Sequence, residues 1–72
     1  MAVAKLNSDR LLREMVLRGW NGVDLAYFAQ VSPATVSAAL RGRPVSSTTV
    51  RKMVLALSKV PTVAGAEEIL AG

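Results

Sequence analysis

The chain has no cysteine and no histidine. A disulfide framework is excluded, and so are thiolate and imidazole metal sites. Acid–base and nucleophilic catalysis lose two of their commonest groups. The acidic residues offer no replacement. Glu67 and Glu68 are adjacent and read as solvating a terminal helical turn. No enzymatic activity, cofactor, metal or small-molecule ligand is expected. Aromatics are scarce, limited to Trp20, Tyr27 and Phe28. The core must therefore be aliphatic, built from Leu, Val, Met and Ala. No apolar run approaches the ~20 residues of a membrane span. Met1 to Leu6 carries one lysine and too short an apolar run for a signal peptide. The expected location is the cytoplasm.

What is present fits one small domain. A chain of 72 residues buries only about 60% of its unfolded surface, so its core is thin. Net charge is +4, from nine basic and five acidic residues. The distribution is more telling than the sum. No acidic residue occurs between Asp24 and Glu67, whereas Arg41, Arg43, Arg51, Lys52 and Lys59 all lie there. Such a half suits a polyanion partner, or is a solvated basic face.

Taken in order, residues 1–7 read as a flexible arm, with Lys5 solvated or, as the alternative, touching a phosphate. A first helix runs from about Asp9 to Arg18, capped by Asn7 or Ser8, with Leu11, Leu12, Met15 and Val16 as its apolar stripe. Arg10, Arg13, Glu14 and Arg18 face water. Gly19 ends the helix, and Trp20 is expected in the core. Asn21 caps a second helix, with Asp24 placed for a capping box. Leu25, Phe28 and Ala29 point inward, and Ala26 is small enough to admit a close helix neighbour. A third helix follows Ser32 as N-cap and Pro33 at the first position. Val36 and Leu40 share its anchored face, and Gly42 ends it. Ser46 or Ser47 caps a fourth helix, in which Val50, Met53, Val54 and Leu57 keep the i, i+3, i+4, i+7 spacing. Leu55 falls off that stripe and should be partly exposed. Lys59 suits the helix C-terminus, and Pro61 stops the helix. Residues 61–72 form a short helix or tail, with Ile69 and Leu70 packing back or making a dimer contact. Nothing reads as a strand. The expectation is an all-α bundle of four to five short helices, with residues 8–60 as its body.

The order Asp24-Leu25-Ala26-x-x-Ala29-x-Val31-Ser32-x-x-Thr35-Val36-Ser37 resembles the helix-turn-helix of bacterial and phage repressors. In that motif a small residue lets the helices cross closely, and Ala26 stands there. A buried β-branched residue locks the second helix, and Val36 stands there. Leu25, Ala29, Val31 and Leu40 match the remaining apolar positions. The preceding helix, and Val45-Ser46-x-x-Thr49 after the motif, resemble the Cro/phage-repressor (XRE) class, whose fold is lambda-repressor-like. Thr35-Val36-Ser37 through Leu40-x-Gly42 is also similar to the lac-repressor family, which places its motif at the very start. The resemblance covers about Leu6 to Leu57. Two positions depart from it. The family usually has a left-handed glycine at the turn, where this chain has Gln30, at a cost of order 1 kcal/mol. Many members carry a phosphate-gripping glutamine where this chain has Gly22.

The resemblance implies a sequence-specific regulator of transcription, a repressor type, that binds double-stranded DNA and joins the nucleoid when bound. Its second motif helix enters the major groove. Carried over by position, Ser32, Pro33, Ala34, Ser37, Ala38 and Arg41 would face the bases. Pro33, Ala34 and Ala38 would meet thymine methyls. Ser32 and Ser37 would make short or water-mediated bonds. Arg41 or Arg43 would reach a guanine or a phosphate, because bidentate readout needs a long donor. Thr35, Arg43, Ser47, Thr48, Arg51 and Lys52 are the backbone candidates. Thr35 reads equally as a plain helix-surface residue, and Arg51 and Lys52 as plainly solvated. Dimers are usual for so small a footprint, and Leu55 with the C-terminal tail is the candidate homodimer surface. The alternative is a protein-interaction module of the same fold, antitoxin-like or anti-repressor-like, which reads no DNA.

Overall fold

The computed structural model describes residues 3–63. The chain runs through β1 (Val3–Ala4), α1 (Ser8–Leu17), α2 (Gly22–Ala29), α3 (Pro33–Leu40), β2 (Val45–Ser46) and α4 (Ser47–Lys59). This is a small all-α fold with little strand. That little is a correction to the strandless expectation. β1, within the expected arm, pairs antiparallel with β2, Val3 opposite Ser46 and Ala4 opposite Val45. Two-residue strands are too short for alternation to reveal. Of the short helix or tail expected over residues 61–72, residues 64–72 lie outside the described residues.

Helix starts follow from local chemistry. The side chains of Asn7, Asn21, Ser32 and Ser46 each accept from a backbone N–H three residues on, satisfying donors the helix leaves free. Asn21 and Asp24 complete the capping box, the Asp24 carboxylate accepting from the Asn21 amide at 2.8 Å. Three helix ends share one device. The amides of Trp20, Val31 and Arg43 donate to the carbonyls of Met15, Ala26 and Ala38 at 2.9, 3.0 and 3.0 Å. The residue before each is left-handed: Gly19 at φ 72°, Gln30 at 57° and Gly42 at 74°. Gln30 alone of these carries a β-carbon, and it carries the steric cost. Gln30 is solvent-exposed and lies outside the core, so its substitution leaves the core packing unchanged. Gln30→Gly should therefore raise stability by about 0.5–1 kcal/mol, or ~2–8 °C in melting temperature. The β-branched Gln30→Val should lower it. A thermal melt of the three proteins checks the order, and an unchanged midpoint in Gln30→Gly would mean the turn is not strained.

The core joins Leu11 and Met15 of α1, Leu25, Ala26 and Ala29 of α2, Val36 and Ala39 of α3, and Met53 and Ala56 of α4, with Val45 beside them. Several expectations shift by one flank. Leu12 and Val16 are exposed on α1, and Leu17 is buried instead. Val54 is exposed on α4, where Ala56 takes the buried place. Phe28 is exposed rather than inward, and half-buried Trp20 stacks on it with ring centroids 4.7 Å apart. A domain this thin covers a narrow stripe of each helix and leaves the flank to water.

Arg18 also departs from expectation. Expected to face water, its side chain is only 10% exposed and holds the end of α4. Its Nε donates to the carbonyls of Leu57 and Val60 at 3.0 and 2.8 Å, and its Nη2 to Leu57 at 2.7 Å. A cation is favoured at a helix C-terminus, where carbonyls lack partners. Nη1 donates to the Glu14 carboxylate at 2.9 Å. The Arg18 guanidinium, with help from Arg10, holds the Glu14 carboxyl below the usual carboxylate range, against a smaller opposing effect of burial.

Candidate nucleic-acid interface

α2 and α3 meet across a tight corner made by Gln30, Val31 and the Ser32 cap. Val36 and Ala39 are wholly buried and fix α3 to the core. Leu40, expected to share the anchor with Val36, is half-buried, because Ala39 stands three residues from Val36 and points more directly inward. The outward residues then follow from helical geometry. Ser32, Pro33, Ala34, Arg41 and Arg43 are exposed, and Thr35 and Ser37 are half-buried. Ala38 is half-buried too and packs on the core, so it lies at the edge of the open face.

The N-terminus of α3 carries a small hydroxyl pair. Ser32 Oγ accepts from the Thr35 amide at 3.1 Å and shares a hydrogen bond with Thr35 Oγ1 at 2.8 Å. Ser46 and Thr49 repeat the arrangement at α4 with the same distances. Each pair uses one hydroxyl proton internally and keeps the other free to donate outward.

Charge separates the four helix starts into two kinds. α1 and α2 place Asp9 and Asp24 in their first turns. α3 and α4 have no acidic residue there, so the positive ends of their dipoles are bare. Ser47 and Thr48 are exposed in the first turn of α4, and Arg51 and Lys52 are exposed just beyond. Among the described residues the only ion pairs join Arg10 and Arg18 to Glu14. Arg41, Arg43, Arg51 and Lys52 therefore face no carboxylate within that set. One member of the basic group has no local signal in the sequence. The Lys5 side chain lies over the α3 exit, its Cε 3.7 Å from where a Gly42 β-carbon would stand. Lys5, read from the sequence as solvated with a phosphate contact as the alternative, thus stands beside the turn flanked by Arg41 and Arg43. The β1–β2 pairing, with the start of α1 beside it at Ser8, brings residues so distant in sequence together.

A shallow groove of about 420 Å³ runs between Gly22 and Val23 of α2 and Pro33, Val36, Ser37 and Leu40 of α3. A β-carbon on Gly22 would stand 3.7 Å from Val36 Cγ1, an ordinary contact, so a β-carbon is tolerated there. Lys52 is placed apart from this groove. It lines a second one, between α2 and α4, with Phe28 and Lys59. No helix among the described residues is long and apolar enough to cross a membrane. Comparisons with family models, curated proteins and solved structures return no match.

Proposed function

We propose that this chain is a sequence-specific, double-stranded DNA-binding regulator of the Cro/phage-repressor kind, with α2 and α3 as its helix-turn-helix. The observation that carries the reading is the coincidence of shape and sign on α3. A helix anchored on one side by Val36 and Ala39 presents a low outward face, begins at a bare positive dipole end, and exits between Arg41 and Arg43. α3 enters the major groove N-terminal end first. Pro33 and Ala34, with Ala38 at the edge, lie against thymine methyls. The hydroxyls of Ser32 and Ser37 make short or water-mediated bonds. Arg41 supplies the one long donor for a guanine. Thr35, Arg43, Ser47, Thr48, Arg51 and Lys52 take the phosphates, joined by Lys5, and the bare N-terminus of α4 suits the same anion. A homodimer would double the small footprint. The rival reading, a protein-interaction module, draws on the nearly uncharged outward face of α3.

Selection of bound duplexes from a random library at low salt, followed by titration of the enriched sequence, separates the two. About four phosphate contacts give a log–log salt slope near −3.6, or a roughly 10²-fold loss of affinity between ~50 and ~200 mM salt. Arg41→Ala should weaken binding to the selected duplex by about 1–3 kcal/mol, ~5–150-fold. Lys59→Ala, at the far end of α4, should change it by less than about twofold. A library that enriches nothing would overturn the DNA reading, and equal effects of the two substitutions would mean that α3 is not the reading helix.

A further inference from the structure

The groove between α2 and α4 plays no part in base reading, yet it holds the strongest unexplained surface of the molecule. Phe28, Leu55 and Ala56 line it between Lys52 and Lys59, around about 190 Å³. Phe28 and Leu55 remain 48% and 46% exposed. Tyr27 meets Phe28 edge-on at 5.3 Å, and Trp20 stacks on it, so the other two aromatics gather around the one that lines the groove. Lys52 and Lys59 stand two helical turns apart, about 10 Å. Neither meets a carboxylate among the described residues.

This combination selects its occupant. A second copy apposed through the same patch would bring Lys52 and Lys59 against their own equivalents, and like charges oppose that. The complementary ligand is aliphatic and acidic. The sequence contains one such stretch, Glu67-Glu68-Ile69-Leu70, which holds the only acidic residues after Asp24. It is within reach. The Val63 amide donates to the Leu17 carbonyl at 2.6 Å, which fixes where the chain departs. Val63 is separated from Lys59 by at most ~14 Å of chain, whereas seven further residues to Leu70 reach up to ~25 Å. A tether this short gives an effective concentration in the mM range, which favours the chain's own segment over a free one.

We propose that residues 67–70 dock in the α2–α4 groove of the same chain. Ile69 and Leu70 cover Phe28 and Leu55, and Glu67 and Glu68 meet Lys52 and Lys59. The docking does not rest on the DNA reading, although it would neutralise Lys52, one of the cations that reading uses. The absence of cysteine makes the test clean, because Ala71→Cys creates a single site for a nitroxide spin label. In the full chain without DNA, the label should broaden the backbone amide signals of Phe28, Leu55 and Ala56. Adding Glu67→Lys with Glu68→Lys should abolish the broadening. Lys52→Glu with Lys59→Glu in that background should restore it, since the charges are then exchanged. All four positions are polar and solvent-facing or terminal, so loss of fold is not expected, and the amide spectrum itself reports it. The proposal is overturned by absent broadening, by broadening that survives charge reversal, or by failure of the exchange to restore it. Broadening that appears only between spin-labelled and isotope-labelled copies in a mixture assigns the groove to a second copy and overturns it equally.

Discussion

Leu25→Ala should unfold most of the protein at room temperature. Leu25 has no solvent exposure and lies in the cluster that joins all four helices. Removing three carbons there forfeits their transfer free energy and leaves a cavity, at a cost of about 2–5 kcal/mol. A single core in a chain this short supplies roughly 3–5 kcal/mol in total. The loss is therefore comparable to the whole stability, and the far-ultraviolet circular dichroism of the variant should resemble that of the unfolded chain. Leu12→Ala removes the same atoms from a position 51% exposed on α1. It should shift stability by no more than about 0.5 kcal/mol, since alanine is the better helix former. If Leu25→Ala melted within a few degrees of the parent protein, the α2-centred core described above would be wrong.

These two leucines also mark what a sequence can and cannot disclose. Helix starts were legible because capping is local. Asn7, Asn21, Ser32 and Ser46 each act on an amide three residues away. The anchoring of α3 through Val36 was legible for the same reason, being fixed by spacing within one corner, whereas the left-handed place of Gln30 was an expectation of the resemblance alone. Which flank of an apolar stripe finds a neighbour is not a local property. Leu12, Val16, Phe28 and Val54 lost that competition, and Leu17, Ala39 and Ala56 gained from it. The long-range contacts left no trace at all. Arg18 caps α4 across 39 and 42 residues, and Lys5 lies over Gly42. Of the candidate interface, α3 itself could be placed from spacing. Lys5 could not, and the alignment of Lys52 with Lys59 along a separate groove needed the packing of α2 on α4.

Ala34→Glu should separate the stability of α3 from its proposed use, because the two respond with opposite sign. Ala34 is exposed and lies in the first turn of α3, which has no acidic residue. A carboxylate there meets the positive end of the helix dipole and should stabilise the fold by about 0.3–1 kcal/mol. In the major groove the same carboxylate would be held between two phosphate chains and against base edges, with no cation opposite. Like charge placed in an interface costs several kcal/mol, so affinity for the selected duplex should fall by ~100-fold or more. Ala34→Gln controls for bulk. It has nearly the same shape without the charge, and its amide can still bond an adenine, so it should lose far less. Melting temperature and duplex affinity measured on the three proteins give the comparison. If Ala34→Glu binds as tightly as the parent, the first turn of α3 does not face DNA. If the glutamine variant falls as far as the glutamate one, the loss is steric, and the electrostatic argument for this face fails.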